Sequence, residues 1–178
     1  TENTYVYARY QTSSGYWSTL GGYPIKNIDK TPPSPPSFES SSVVPTNQDV
    51  TITISFSTDS TTKQYKLSSS SVWANYTGPI TLTSNDTVHA KASDSVGNWT
   101  STVSYTVSNI DKSNPSTPTF SLDTTVPTNE VVNVSITYPA DVSVKQYKVG
   151  ASGAWMDYSV PVAMSENGIL YAKAQDLA

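Results

Sequence analysis

Val50-Thr51-Ile52-Thr53-Ile54-Ser55-Phe56 decides the fold, because Val50, Ile52, Ile54 and Phe56 alternate strictly with hydroxyl residues. A period of two puts every apolar side chain on one face of an extended strand and every hydroxyl on the other. The pattern returns in Val132-Asn133-Val134-Ser135-Ile136-Thr137-Tyr138, where five of the seven residues change and the inward face survives. The two stretches lie 82 residues apart, and the same offset holds on both sides of them. Asn27-Ile28-Asp29-Lys30 returns as Asn109-Ile110-Asp111-Lys112, Val44-Pro45-Thr46-Asn47 as Val126-Pro127-Thr128-Asn129, and Lys63-Gln64-Tyr65-Lys66 as Lys145-Gln146-Tyr147-Lys148. Trp73, Tyr76 and Pro79 fall on Trp155, Tyr158 and Pro161; Asn3, Val6, Ala8, Gly15 and Trp17 fall on Asn85, Val88, Ala90, Gly97 and Trp99. An internal repeat of this length is the first thing a fold assignment must respect.

The repeat divides the chain into residues 1–26, the closing strands of one module; 27–108, a complete module; and 109–178, a module cut before its last strand. Thr31-Pro32-Pro33-Ser34-Pro35-Pro36 and Ser113-Asn114-Pro115-Ser116-Thr117-Pro118 follow the two Asn-Ile-Asp-Lys segments and read as stiff, extended linkers. Within the complete module, further short strands are expected around Tyr65 and Leu67, Ile80 and Leu82, Val88 to Ala92, and Val103 to Val107. Turns are expected at Ser57–Thr61 and at Asp94-Ser95-Val96-Gly97-Asn98, whose glycine tolerates positive φ. About seven antiparallel strands in some 80 residues predict an all-β chain of tandem immunoglobulin-like β-sandwiches joined by Pro-rich linkers. Small Ala90 and Ala92 would let a facing sheet approach, with Trp73, Trp99 and Tyr65 filling the remaining interior.

Composition narrows the chemistry. Only 13% of the 178 residues are charged, the net charge is -4, and Ser and Thr supply nearly a third of the chain. No basic block exists to meet a nucleic-acid backbone or an anionic membrane, and no apolar run approaches the 18 or so residues of a membrane-spanning helix. Thr1 opens no recognisable signal peptide. The absence of Cys removes thiolate nucleophiles and disulfides, and the single His89 cannot build the usual zinc site. His89 alternates with inward Val88 and Ala90, so an exposed strand position is expected of it, and no repeated base stands ready to activate a serine. The expectation is a protein that is not an enzyme.

Carboxylates recur near turns and joins at Asp29, Asp59 and Asp94, and again at Asp111, Asp141 and Asp176. Asp29, Asp94, Asp111 and Asp176 are the candidates for a calcium ion between modules, although each loop offers one carboxylate where that ion takes six to eight oxygens. Capping of turn amides is the favoured role. Trp17 and Trp99, just after the turn glycines, are candidates for stacking on sugars, against a packing role. Lys63 and Lys145 fall in phase with Tyr65 and Tyr147; a stem lying along apolar surface is favoured over an isopeptide crosslink. Asn75, Asn85, Asn98 and Asn133 begin glycosylation sequons, in a number that this composition produces by chance.

Three segments together resemble the bacterial Ig-like repeats of secreted and cell-surface proteins, especially those of Gram-positive bacteria. They are Lys63-Gln64-Tyr65-Lys66 leading to Trp73, Tyr76, Pro79 and Ile80; Ala90-Lys91-Ala92 with Asp94 and Gly97-Asn98; and Asn109-Ile110-Asp111-Lys112. The first copy departs from the pattern, with Tyr10 for the second alanine, Thr12 for the aspartate and Tyr16 for the asparagine. The resemblance implies an extracellular or cell-surface protein that serves as stalk, spacer or fibre-forming adhesin segment. Its partners would be neighbouring modules and identical chains in a fibre. The alternative is a carbohydrate-binding accessory module of a polysaccharide-active protein, with polysaccharide as partner. Because an isolated two-stranded hairpin is marginal in water, residues 1–26 need a neighbour. Either the sequence is a window on a longer chain, the favoured reading, or one chain's N-terminal strands complete the third module of another.

Overall fold

A computed structural model describes residues 2–178 and contains fifteen strands. They are β1 (Tyr5–Ala8), β2 (Gly21–Pro24), β3 (Ser37–Ser40), β4 (Val50–Ser55), β5 (Thr62–Leu67), β6 (Ala74–Asn75), β7 (Ile80–Leu82), β8 (Asp86–Ser93), β9 (Val103–Val107), β10 (Thr119–Leu122), β11 (Val132–Thr137), β12 (Val142–Val149), β13 (Met156–Asp157), β14 (Val162–Met164) and β15 (Leu170–Asp176). No described residue is helical, so no helix is long and apolar enough to cross a membrane. The strands form five small sheets, ordered β1-β2, β3-β4-β7, β6-β5-β8-β9, β10-β11-β14 and β13-β12-β15. This all-β, multi-sheet architecture is consistent with sandwich-like modules.

The chain resolves into two compact units. The first comprises Thr1–Phe38, Ile54–Gly78 and Val88–Tyr105, and the second Glu39–Thr53, Pro79–Thr87 and Thr106–Ala178. In the first unit β5 pairs antiparallel with β8, Tyr65 opposite Ala90 and Lys63 opposite Ala92. Alternation along β8 buries Val88, Ala90 and Ala92 completely and turns His89 and Lys91 to the other face. The turn at 94–98 closes as its sequence requires: Gly97 has a φ of 95°, which a residue with a Cβ adopts only under strain. In the second unit β4 lies against β7, pairing Val50 with Leu82 and Ile52 with Ile80, and these four side chains are buried. On β11, Val134 and Ile136 are buried, with Val134 opposite Val162 of β14.

Individual contacts recur across the 82-residue offset. Tyr76 Oη accepts the Ile54 amide at 2.9 Å, and Tyr158 Oη accepts the Ile136 amide at 2.9 Å. Tyr65 meets Tyr76 edge-on at 6.2 Å, and Tyr147 meets Tyr158 edge-on at 6.2 Å. A tyrosine borne on a connection thus bonds a strand amide and closes an aromatic cluster in both places. Trp73 departs from the expected interior position. It is only half-buried, because the connection that carries it lays the indole beside the outward lysines, with Lys66 Nζ 5.5 Å and Lys91 Nζ 4.4 Å from the ring centroid. Trp99, 43% exposed, is likewise outside the core. The interior is aliphatic instead, built from Val, Ile, Leu and Ala.

Candidate functional site

The irregular segment Asn109-Ile110-Asp111 is densely bonded. Ile110 lies beside Thr46 in a parallel bridge, made by Thr46 N–H donating to Asn109 O and Asp111 N–H donating to Thr46 O, both at 2.9 Å. Both peptide groups of Ile110 itself go to one side chain: its N–H donates to Asn85 Oδ1 and its carbonyl accepts from Asn85 Nδ2, each at 2.9 Å. Asn109 Nδ2 donates to Val44 O at 2.8 Å. Lys112 pairs with Asp49, and Ile110 is buried. Asn3 grips Ile28 through the same two bonds, again at 2.9 Å each. An asparagine amide presents one acceptor and one donor side by side and so saturates a peptide that no strand covers on that side. The signal available in the sequence was Asn3 and Asn85 at the repeat offset; it carries no hint of the partner 25 residues on.

The candidate calcium ligands act as turn caps. Asp94 Oδ1 accepts the amides of Val96, Gly97 and Asn98 at 3.0, 2.8 and 2.9 Å, while Oδ2 accepts Asn98 Nδ2 at 2.8 Å. Burial by itself would raise this carboxyl, but the Asn98 side chain and the three amides outweigh it and hold Asp94 below its ordinary value. Asp29 Oδ1 caps Thr31 N–H, Asp111 Oδ1 caps Ser113 N–H and Asp176 Oδ1 caps Ala178 N–H. Asn98 Nδ2 also reaches Asp29 O at 3.3 Å. Asp111 and Asp176 line one cleft of about 210 Å³ with Asn47 and Lys112. Among the described residues no three His, Cys, Asp or Glu side chains are gathered as for a metal ion.

The aromatic candidates lie on surfaces shared with cations. Arg9 stacks 4.1 Å from the centroid of Trp17, which is 53% exposed. Lys91 Nζ sits between two indoles, 4.4 Å from Trp73 and 4.5 Å from Trp99. Lys173 Nζ is 4.4 Å from Trp155, with Lys148 at 5.2 Å. Each ring therefore has a cation against it, a geometry worth roughly 0.5–1 kcal/mol at exposed sites. His89, half-buried, faces Ser68 Oγ through Nε2 at 2.8 Å, a pair the sequence did not announce because Ser68 lies across the strand pair. Lys63 is exposed, with its ammonium 5.8 Å from the Phe56 ring. Of the sequon asparagines, Asn85, Asn98 and Asn133 each use Nδ2 as a donor.

A further feature escaped the sequence altogether. An open groove of about 500 Å³ is lined by Leu122, Val132, Val134, Met164 and Leu170 together with Thr128, Glu130, Glu166 and Asn167. No family model and no curated protein matches the chain.

Proposed function

We propose that the chain is a non-catalytic structural segment of an extracellular protein, a stalk or spacer built from Ig-like sandwiches repeated in tandem. The observation that carries this reading is the bonding of the joins. Ile28 and Ile110 each give both peptide polar groups to an asparagine, and Asp29 and Asp111 each cap the next amide but one. A connection held this way, followed by prolines, has little freedom to bend, so length grows with the number of repeats. The resemblance to bacterial Ig-like repeats supports the same reading. Small-angle scattering tests it: the stalk predicts a radius of gyration well above the ~16 Å of a compact chain of this length, and a compact value overturns it.

A second reading, carbohydrate recognition, draws on the exposure of Trp17 and Trp99. The cations against their rings disfavour it, since a sugar would have to displace or share them. Titration with cell-wall and plant polysaccharides, followed by tryptophan fluorescence, separates the two. The stalk predicts a flat response, and a saturable change lost in Trp99→Ala favours recognition.

A further inference from the structure

The outward face of the sheet β6-β5-β8-β9 carries cations without a counter-charge among the described residues. Lys66 stands opposite His89 and Gln64 opposite Lys91 across the β5–β8 pair. Asn75 stands opposite Gln64 across the β5–β6 pair, so these side chains share one face. Trp73 and Trp99 lie against the two lysines: Lys91 Nζ is 4.4 Å and 4.5 Å from the two ring centroids, and Lys66 Nζ is 5.5 Å from that of Trp73. β5 and β6 contain no Asp or Glu, and the one carboxylate of β8, Asp86, falls in phase with buried Val88. Among the described residues neither ammonium meets a carboxylate or donates a hydrogen bond.

The next repeat differs at this face. At the 82-residue offset Asn75 becomes Asp157, which accepts Gln146 Nε2 at 3.0 Å, and Lys66 becomes Lys148, which donates to Ala151 O at 2.6 Å. There a carboxylate has entered the face and one ammonium has an acceptor, whereas the face within 27–108 keeps both ammoniums open. The sheet edge beside them is open as well. β6 ends its sheet, and both of its residues are exposed. Tyr76 N–H donates to Lys63 O at 2.9 Å, which makes Lys63–Tyr76 and Tyr65–Ala74 the bonded pairs of this ladder. Asn75 lies between them and turns its N–H and C=O away from β5. Neither group has a partner among the described residues. Unpaired main-chain groups and unpaired cations therefore adjoin. A neutral sugar would compete with the lysines for the indole faces, while a carboxylate pairs with the free ammonium donors and leaves the rings covered.

We infer that this edge is a docking site for an extended acidic segment of a partner protein, which adds to β6 as a further strand and sets alternate Asp or Glu carboxylates beside Lys66 and Lys91. Its main chain takes the N–H and C=O of Asn75, and the period of two carries every second side chain onto the face where the ammoniums stand. An ammonium resting on indoles is partly stripped of water, so an ion pair formed there is screened less than one between fully exposed groups. Main-chain bonds set the register, and the carboxylates set which segments are accepted, since a neutral strand gains nothing from the lysines. The inference goes beyond the stalk reading: a spacer with this edge also holds a protein at its side, and the scattering test of the spacer is independent of it.

Fluorescence anisotropy of labelled peptides, titrated with the whole 178-residue chain, tests the inference. A short peptide of alternating Glu and Thr should bind saturably, and more weakly as salt is raised. The matching peptide of alternating Gln and Thr should not bind. Lys66→Gln/Lys91→Gln should weaken the acidic peptide about tenfold, the loss of two surface ion pairs, while Lys148→Gln/Lys173→Gln should leave its affinity at the native value. The acidic peptide methylated on its backbone nitrogens keeps its charge but cannot pair as a strand, and it should fail to bind; this comparison uses the native chain and carries the test should a variant fail to melt cooperatively. No saturable binding of the acidic peptide below about 1 mM overturns the inference. Equal binding of the methylated peptide overturns it by showing that charge alone is read. Binding of polygalacturonate in place of the peptide, lost in Lys66→Gln/Lys91→Gln, overturns it by assigning the face to an acidic glycan.

Discussion

At the scale of single residues, the recurring tyrosine and aspartate carry more of the fold than the tryptophans do. Tyr76→Phe strips the acceptor from the buried Ile54 amide at almost no change in volume, and Tyr158→Phe does the same at Ile136. Each should cost about 1–3 kcal/mol, the penalty for an unsatisfied buried donor, and the two losses should agree closely in urea unfolding because the geometries agree. Trp73→Ala should cost only about 1–2 kcal/mol, since the ring is half-buried against lysines and leaves no closed cavity of the kind that makes core truncations cost more. Asp94 adds a pH dependence. Its pKa is lowered in the folded chain, so its contribution is complete above the ordinary carboxylate pKa of about 3.9 and is lost as the pH falls through the lowered value. Asp123, lowered first by the Asn133 side chain and then by backbone amides against the opposing effect of burial, acts in the same direction. Thermal melts should show Asp94→Asn less stable than the native chain at pH 7, with the gap closing as the pH falls below the ordinary carboxylate range.

At the scale of elements, what the sequence made legible was whatever a short-range period encodes. The alternation of Val50, Ile52 and Ile54 with hydroxyl residues gave β4, that of Val88, Ala90 and Ala92 gave β8, and Asp94 with Gly97 gave the turn between β8 and β9. β3 and β6 were not legible: four and two residues are too few to display a period, and both exist because a longer neighbour, β4 or β5, offers them an edge. The position of Trp73 was missed for a related reason, since a residue on a connection has no phase from which its facing can be read. The grips of Asn3 and Asn85 depend on a partner distant in sequence, and the groove is a relation among three separate stretches. A direct check of the grip is Asn85→Ala. Amide hydrogen exchange at Ile110 should accelerate about tenfold, in proportion to roughly 1.4 kcal/mol of local stability lost, while exchange at Val88 and Ile52 should stay at the native rate.

For the molecule as a unit, the proposed stalk requires residues 27–108 to draw stability from their own strands and to carry load through the bonded joins. Mechanical unfolding of the chain, held by its two ends in a force microscope, tests this most directly. A tandem stalk should give a discrete force peak followed by a contour gain of roughly 280 Å, the length of 82 residues at about 3.4 Å each. A single event releasing the entire chain, or a smooth extension with no peak of that length, would contradict it.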